Sequence, residues 1–153
     1  MVCFLLQGQE LGLSIADVKE TIEPRPLTRV FLVPDFVAGL MNLRGEVLAV
    51  LDLSLLLGLG ERPLDAASRI LVLRGRAPGR PVAAGLLVDG ITEVRELDLA
   101  ALHDLPSTLP ADAAHFLRGV IRPADAPGRA ILVLDVGRIL DCERLKPFRR
   151  KAA

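Results

Sequence analysis

"LMNLRGEVLAVLDL", residues 40–53, places Asn-Leu-Arg-Gly in the middle of an otherwise apolar run. From Glu46 onward the residues read as a buried strand. A charged side chain is costly inside a core unless it is paired. Glycine weakens a strand unless the backbone must bend or be approached closely there. Arg44 and Gly45 therefore need a reason that core packing does not supply.

Outward from this stretch, most of the chain reads as short strands with turn punctuation. "PDFVAGLMN", just upstream, is too short and too glycine-bearing for a long helix, but Pro34–Asp35 suits the first turn of a single short one. Downstream, "EVLAVLDL" is followed by "SLLLGLG", a helical turn capped by Asp52 or Ser54 and ended by Gly58. Near the start, "VCFLL" and "LGLSI" flank "QGQE", a hairpin with Gly8 in its turn. "VKETIE" is a third strand, stopped by "PRP".

The second half repeats the plan. "RILVLRG" and "PVAAGLLVDGI" flank the turn "RAPGR". "TEVREL" is a strand candidate, "DLPSTLPADAAH" is irregular, and "RAILVLDV" is a strand followed by the turn "GRILDCE". "FVAGL" at 36–40 resembles "FLRGV" at 116–120, and "VLDLSLLL" at 50–57 resembles "VLDVGRIL" at 133–140. Two matches in the same order point to an internal duplication. Each half of about five short strands buries too little alone, so the two halves pack together. The expected fold class is all-β with short helices, two packed five-stranded lobes, with the seam at 58–68.

Composition narrows the function. The chain has 153 residues, 51% of them apolar, with no Trp, no Tyr and five Phe. The core is aliphatic, and base stacking on aromatic side chains is disfavoured. The formal net charge is zero, so no strong field draws in nucleic acid or a membrane surface. "MVCFLLQGQE" lacks the basic segment of a signal peptide, and no apolar stretch approaches the ~18 residues that cross a membrane. A cytoplasmic protein with no direct membrane insertion is expected, with Cys3 and Cys142 reduced.

Catalytic and metal patterns are sparse. His103 and His115 stand twelve apart with no ligand-like spacing around them. No serine elbow, phosphate loop or dinucleotide fingerprint occurs. "LRGRAPGRP" carries Arg74, Arg76 and Arg80 on a turn that reads as solvated. Asp52 and Asp135 follow strands in equivalent places, as a repeated helix cap does. The tail "RLKPFRRKAA" is basic, and residues 149–153 are expected to be disordered. These observations predict a non-enzyme without cofactor or metal. Two readings from different classes fit that description, an adaptor and, as the alternative, a small β-barrel module binding a ligand or nucleic acid.

"VPDFVAGLMNLRGEVLAVLDLSLLLGL", residues 33–59, resembles the signature region of CheW-like domains. The family pattern runs Pro-x-apolar-x-x-Gly-apolar-x-Asn-Leu-Arg-Gly, then a strand, Asp-Leu and a terminal Gly. Pro34, Gly39, Asn42, Leu43, Arg44, Gly45, Asp52, Leu53 and Gly58 supply it. "GLSIADVKETI" is similar to the segment that contributes Val18 and Glu20. "AAGLLVDGITEVREL" is similar to the one contributing Gly85, Val88, Asp89, Ile91 and Val94. Two positions depart: Ala49 stands where the family favours Pro, and Thr21 precedes Ile22 where Ile is favoured directly.

The resemblance implies two packed five-stranded Src-homology-3-like barrels and a non-catalytic adaptor. It implies that the adaptor couples the tip of methyl-accepting chemoreceptors to the regulatory domain of a CheA-type histidine kinase. It also implies a partner-binding surface carried by Val18, Glu20, Gly39, Asn42, Arg44, Gly45, Gly85, Ile91 and Val94. Arg44 would sit where a short helix meets a strand, near the groove between the lobes. There it would pair with Glu20 or offer its planar donors to a partner.

Overall fold

The computed structural model describes residues 1–75, 78, 79 and 82–141. Among the described residues, ten strands form two sheets. In chain order they are β1 Val2–Leu6, β2 Gln9–Leu13, β3 Val18–Ile22, β4 Val37–Leu43, β5 Glu46–Asp52, β6 Arg69–Arg74, β7 Val82–Val88, β8 Gly90–Val94, β9 Leu117–Ile121 and β10 Ile131–Leu134. Among the described residues the α-helices are three and short: α1 Leu53–Leu56, α2 Ala111–His115 and α3 Val136–Leu140. One sheet has the order β8-β1-β2-β10-β9, here called the first lobe, and the other β3-β6-β7-β5-β4, the second lobe.

These orders correct the expected seam. Residues 58–68 join β5 and α1 to β6, all on the second lobe, so they do not divide the lobes. They divide the two sequence repeats, β1–β5 and β6–β10. Each repeat gives its opening hairpin to the three later strands of the other. The chain passes from the first lobe to the second at 14–17, and returns at Asp89 between β7 and β8. Such pairings are long-range, and no local pattern encodes them.

The duplication is visible in the hydrogen bonds. Asp52 N–H donates to the Phe36 carbonyl at 2.6 Å, and Asp135 N–H donates to the Phe116 carbonyl at 2.8 Å. β5 runs parallel to β7 with Val50 opposite Gly85, and β10 runs parallel to β2 with Val133 opposite Gly12. Thr28 bridges Leu40 on β4, and His103 bridges Val120 on β9. Asp52 caps α1 through the amides of Ser54 and Leu55, and Asp135 caps α3 through Arg138 N–H. The equivalence of the two aspartates as caps is the one expected from sequence.

The bridges dictate a glycine in each repeat. A Cβ on Gly39 would meet the Thr28 carbonyl oxygen at 2.7 Å, and one on Gly119 would meet that of His103 at 2.4 Å. Both are backbone atoms, which cannot swing aside.

The short helix expected within "PDFVAGLMN", residues 34–42, is absent. Pro34 and Asp35 open a turn, and Val37–Leu43 alternates inward and outward as strand β4. The Pro-Asp pair suits a helix start, but a period-two burial pattern with Gly39 at a close approach favours a strand. Conversely, Ala111–His115 is helical within the stretch expected to be irregular.

The main apolar cluster spans both lobes. Phe4, Leu6, Leu11 and Leu13 from the first lobe meet Leu51, Leu71, Leu73 and Leu86 from the second. All eight are at most 1% exposed. A smaller cluster around Met41, Leu48, Ile70 and Val72 fills the far face of the second lobe.

Candidate partner-binding site

Arg44 and Gly45 are the two central residues of the β4–β5 hairpin, with Leu43 opposite Glu46. Both have positive φ, 51° and 85°. A two-residue hairpin loop with positive φ at both positions follows the twist of its strands, and glycine takes that conformation at no steric cost. Space is no constraint, since nothing lies within 4 Å of where a Gly45 Cβ would stand. Asn42 completes the turn, its Oδ1 accepting from Gly45 N–H at 2.9 Å. Arg44 therefore sits at the tip of a hairpin and not where a helix meets a strand.

The Arg44 guanidinium points out of the turn onto Glu20 of β3. Nη1 donates to Glu20 Oε2, and Nη2 donates to Oε1 at 3.0 Å. The pair joins opposite ends of the sheet order, β3 and the β4–β5 turn, so it clasps the curled sheet shut. Its side chains are 69% and 21% exposed. The hydrogen bonds from Arg44 hold the Glu20 carboxyl below its ordinary range. A planar fork on a carboxylate, open to solvent, is geometry that a competing carboxylate can also satisfy.

The nine expected site residues divide by exposure. Glu20, Asn42, Arg44 and Gly45 come together around the β4–β5 turn. Val94 is 59% exposed and Ile91 is half-buried, but both lie on β8 in the other sheet. Val18, Gly39 and Gly85 are buried, so none of them offers a side chain to a partner. Val18 packs in the shared core, and a Cβ on Gly85 would meet Ile70 Cγ2 at 2.8 Å. These three shape the strands that carry the others.

Sequence reading missed a second clasp. Arg129, in the β9–β10 connection, donates from Nε to Glu10 Oε2 at 2.7 Å, from Nη2 to Glu10 Oε1, and to Glu93 Oε1 at 2.5 Å. Glu93 is on β8, so this arginine also links the two ends of its sheet's order. It raises its own pKa through these bonds and lowers that of Glu10. Arg95 extends the lattice to Asp125 at 2.8 Å. Cys3 Sγ lies beneath, within 4.8 Å of carboxylate oxygens of Glu10 and Glu93, and burial pushes its thiol pKa up. Three such groups could hold a cation, but Arg129 already donates to both carboxylates.

Sequence reading also missed Arg62, whose side chain is 9% exposed and whose Nη1 contacts both oxygens of Asp52 at 2.6 Å. A lone arginine between Gly60 and Pro63 carries no sequence signal of burial. His103 and His115 are exposed, as expected of surface histidines. Arg74 ends β6, whereas Arg76, Arg80, Cys142 and the tail at 149–153 lie outside the described residues. A cavity of about 210 Å³ lies between the 14–17 crossover and α3, lined in part by Ile15, Leu99 and Arg118, and includes none of the nine expected residues. Among the described residues no helix is long and apolar enough to cross a membrane.

Comparison with known proteins gives a consistent set. Residues 1–144 match the family model described as CheW-like domain. Protein FrzA of Myxococcus xanthus is 32% identical over 149 residues, covering 97% of this chain and 89% of that protein. Chemotaxis protein CheW of Bacillus subtilis is 26% identical over 143 residues, covering 94% and 87%. Among solved structures, the scaffolding protein TtCheW from Thermoanaerobacter tengcongensis superposes with a TM-score of 0.73 at 30% identity, covering 88% of this chain and 86% of that one.

Proposed function

The chain belongs to the CheW-like domain family, and from that membership we propose how it works. It is an adaptor of a chemotaxis-type signalling system, a scaffold and not a ligand- or nucleic-acid-binding barrel. In the finer reading, it couples the tip of methyl-accepting chemoreceptors to the regulatory domain of a CheA-type histidine kinase, in the cytoplasm and without chemistry of its own. The site is the surface around the β4–β5 turn, with Arg44 as its anchor and Glu20, Asn42 and Gly45 as its frame.

The observation that carries this reading is the exposed fork at a hairpin tip. A turn needs Gly45 and is helped by Asn42, but it does not need arginine at position 44. Arg44 is 69% exposed and, among the described residues, forks onto a single carboxylate, that of Glu20. Surface pairs of this kind contribute little to stability, so a role in recognition accounts for the residue better than a role in folding. Val94 and Ile91, in the other lobe, belong to a second face that works with the first.

The test is a pull-down with a receptor tip fragment and the kinase regulatory domain, run beside a urea melt. Arg44→Glu should lose binding by an order of magnitude or more while unfolding at nearly the wild-type urea concentration. Wild-type binding by Arg44→Glu would refute the role of Arg44. Loss of binding in proportion to loss of stability would make the residue a brace.

A further inference from the structure

We infer that Arg62 is a positioning residue that fixes the angle between the two lobes. It stands on the 58–68 connection, away from the β4–β5 turn, and gathers three parts of the chain. Nη1 contacts both carboxylate oxygens of Asp52 at 2.6 Å, at the end of β5. Nε donates to Asp89 Oδ1 at 2.7 Å, at the point where the chain returns to the first lobe. Nη2 reaches the Leu87 carbonyl at 3.3 Å.

The first lobe enters this junction through Gln7, at the tip of the β1–β2 hairpin. Gln7 N–H donates to Asp89 Oδ2 at 2.7 Å. Its side-chain amide donates to Ser54 Oγ at 2.5 Å and to the Gly60 carbonyl at 2.9 Å. Ser54 is on α1 of the second lobe and is fully buried. Ser54 Oγ in turn donates to the Gly60 carbonyl at 2.9 Å. Gln7 holds φ 48°, a left-handed conformation that a non-glycine residue adopts at a cost. Glycine would suit that backbone better but carries no side-chain amide.

Two physical arguments separate positioning from plain stabilisation. The apolar cluster shared by the lobes supplies cohesion, but burial of apolar surface is non-directional. A planar guanidinium engaging two carboxylates and a carbonyl at once is directional. A buried ion pair is also weak support for stability, since apolar replacements of the whole pair are often neutral or better; its best-attested use is specifying one arrangement. A partner that touches both lobes reads their mutual angle, so this junction acts at a distance from the surface it serves.

The test uses the full chain and residual dipolar couplings measured on backbone amides of both sheets. In the wild type, one alignment tensor should fit β1, β2 and β8–β10 together with β3–β7. Arg62→Lys keeps the charge opposite Asp52 and Asp89 but removes the fork. Gln7→Gly removes the side-chain amide, keeps the backbone N–H that faces Asp89, and relieves the turn. In each variant every sheet should still fit its own wild-type geometry, while the two sheets require separate tensors. The shift should be larger in Arg62→Lys. If a single tensor with the wild-type orientation fits both variants, the inference is overturned. It is equally overturned if couplings within one sheet change while the relation between sheets does not, because the junction would then brace one lobe only.

Discussion

Arg44 and Arg129 hold equivalent posts in the two lobes. Each comes from the connection between the fourth and fifth strands of its repeat, and each pairs with a glutamate on the third strand. Each thereby links the two ends of a five-strand order. The surroundings differ. Arg129 is 31% exposed and takes a second carboxylate, Glu10, which is 14% exposed. Arg44 is 69% exposed and, among the described residues, has Glu20 alone. The connection that carries Arg129 runs over residues 122–130, whereas Arg44 is on a two-residue turn. A longer connection can fold back over its sheet and cover its own ion pair. A tight hairpin leaves its arginine in solvent. The same clasp is thus a closed structural fastening in one lobe and an open one in the other, and only an open one can change partners.

The largest expected effect tests whether the two lobes are built alike at all. Gly39→Ala and Gly119→Ala each force a Cβ against a carbonyl, at 2.7 Å and 2.4 Å respectively. Overpacking of this kind costs roughly 1–3 kcal/mol, and relief requires the backbone itself to shift. Both variants should lose at least about 1 kcal/mol of stability in urea unfolding. A neutral result in either one would mean that its bridge, Thr28 with Leu40 or His103 with Val120, is not held as its counterpart is.

Next in size is the difference between the clasps. Arg129→Gln should lower the urea midpoint more than Arg44→Gln, because it leaves Glu10 and Glu93 facing each other over buried Cys3. The acid limb sharpens the comparison. Glu10 and Glu20 both have carboxyl pKa values lowered from the ordinary 4.5, first of all by the hydrogen bonds from Arg129 and Arg44. A lowered folded-state value contributes stability that is present above the unfolded value, here 4.5, and that is lost as pH falls through the folded value. Wild type should therefore weaken as pH drops below that point. Arg129→Gln should show the shallower acid dependence of the two variants, since the Arg129–Glu10 pair it breaks is the less exposed and so the less screened. Equal acid slopes for the two variants would remove the distinction between a closed and an open clasp.

How much of this was legible in sequence depended on the range of the interaction. Most of the strands, the repeat and the paired caps at Asp52 and Asp135 are local patterns that the residues locate; β4, read as a short helix, is the exception. The Arg44–Glu20 pair was legible through the family signature and not through spacing, since 24 residues separate its partners. The exchange of hairpins between repeats was not legible. "VCFLL" and "RILVLR" are interchangeable aliphatic strands, and which sheet each joins depends on contacts made across the whole chain. Arg129 follows Gly128 in a loop rich in Pro and Ala, where an arginine ordinarily reads as solvated. Only alignment of the two repeats, with the 122–130 connection matched to the Arg44–Gly45 turn, would have marked it.

The smallest expected change in stability is also the most discriminating, and it concerns Arg44→Lys. The ammonium keeps the positive charge near Glu20 but cannot span both of its oxygens as Nη1 and Nη2 do. Exposed pairs contribute little to folding, and lysine adopts the turn no worse than arginine, because the positive φ at 44 penalises both equally. The urea midpoint should therefore match wild type within measurement error. Partner binding responds to different physics. If a partner carboxylate displaces Glu20 from the guanidinium, it takes over two parallel donors, and a point charge replaces only part of that geometry. Binding to the receptor tip and the kinase regulatory domain should then fall by about tenfold, equivalent to about 1.4 kcal/mol. Full binding by Arg44→Lys would show that the site reads charge and not the fork. In that case the exposure of Arg44, and not its planarity, is what sets it apart from Arg129.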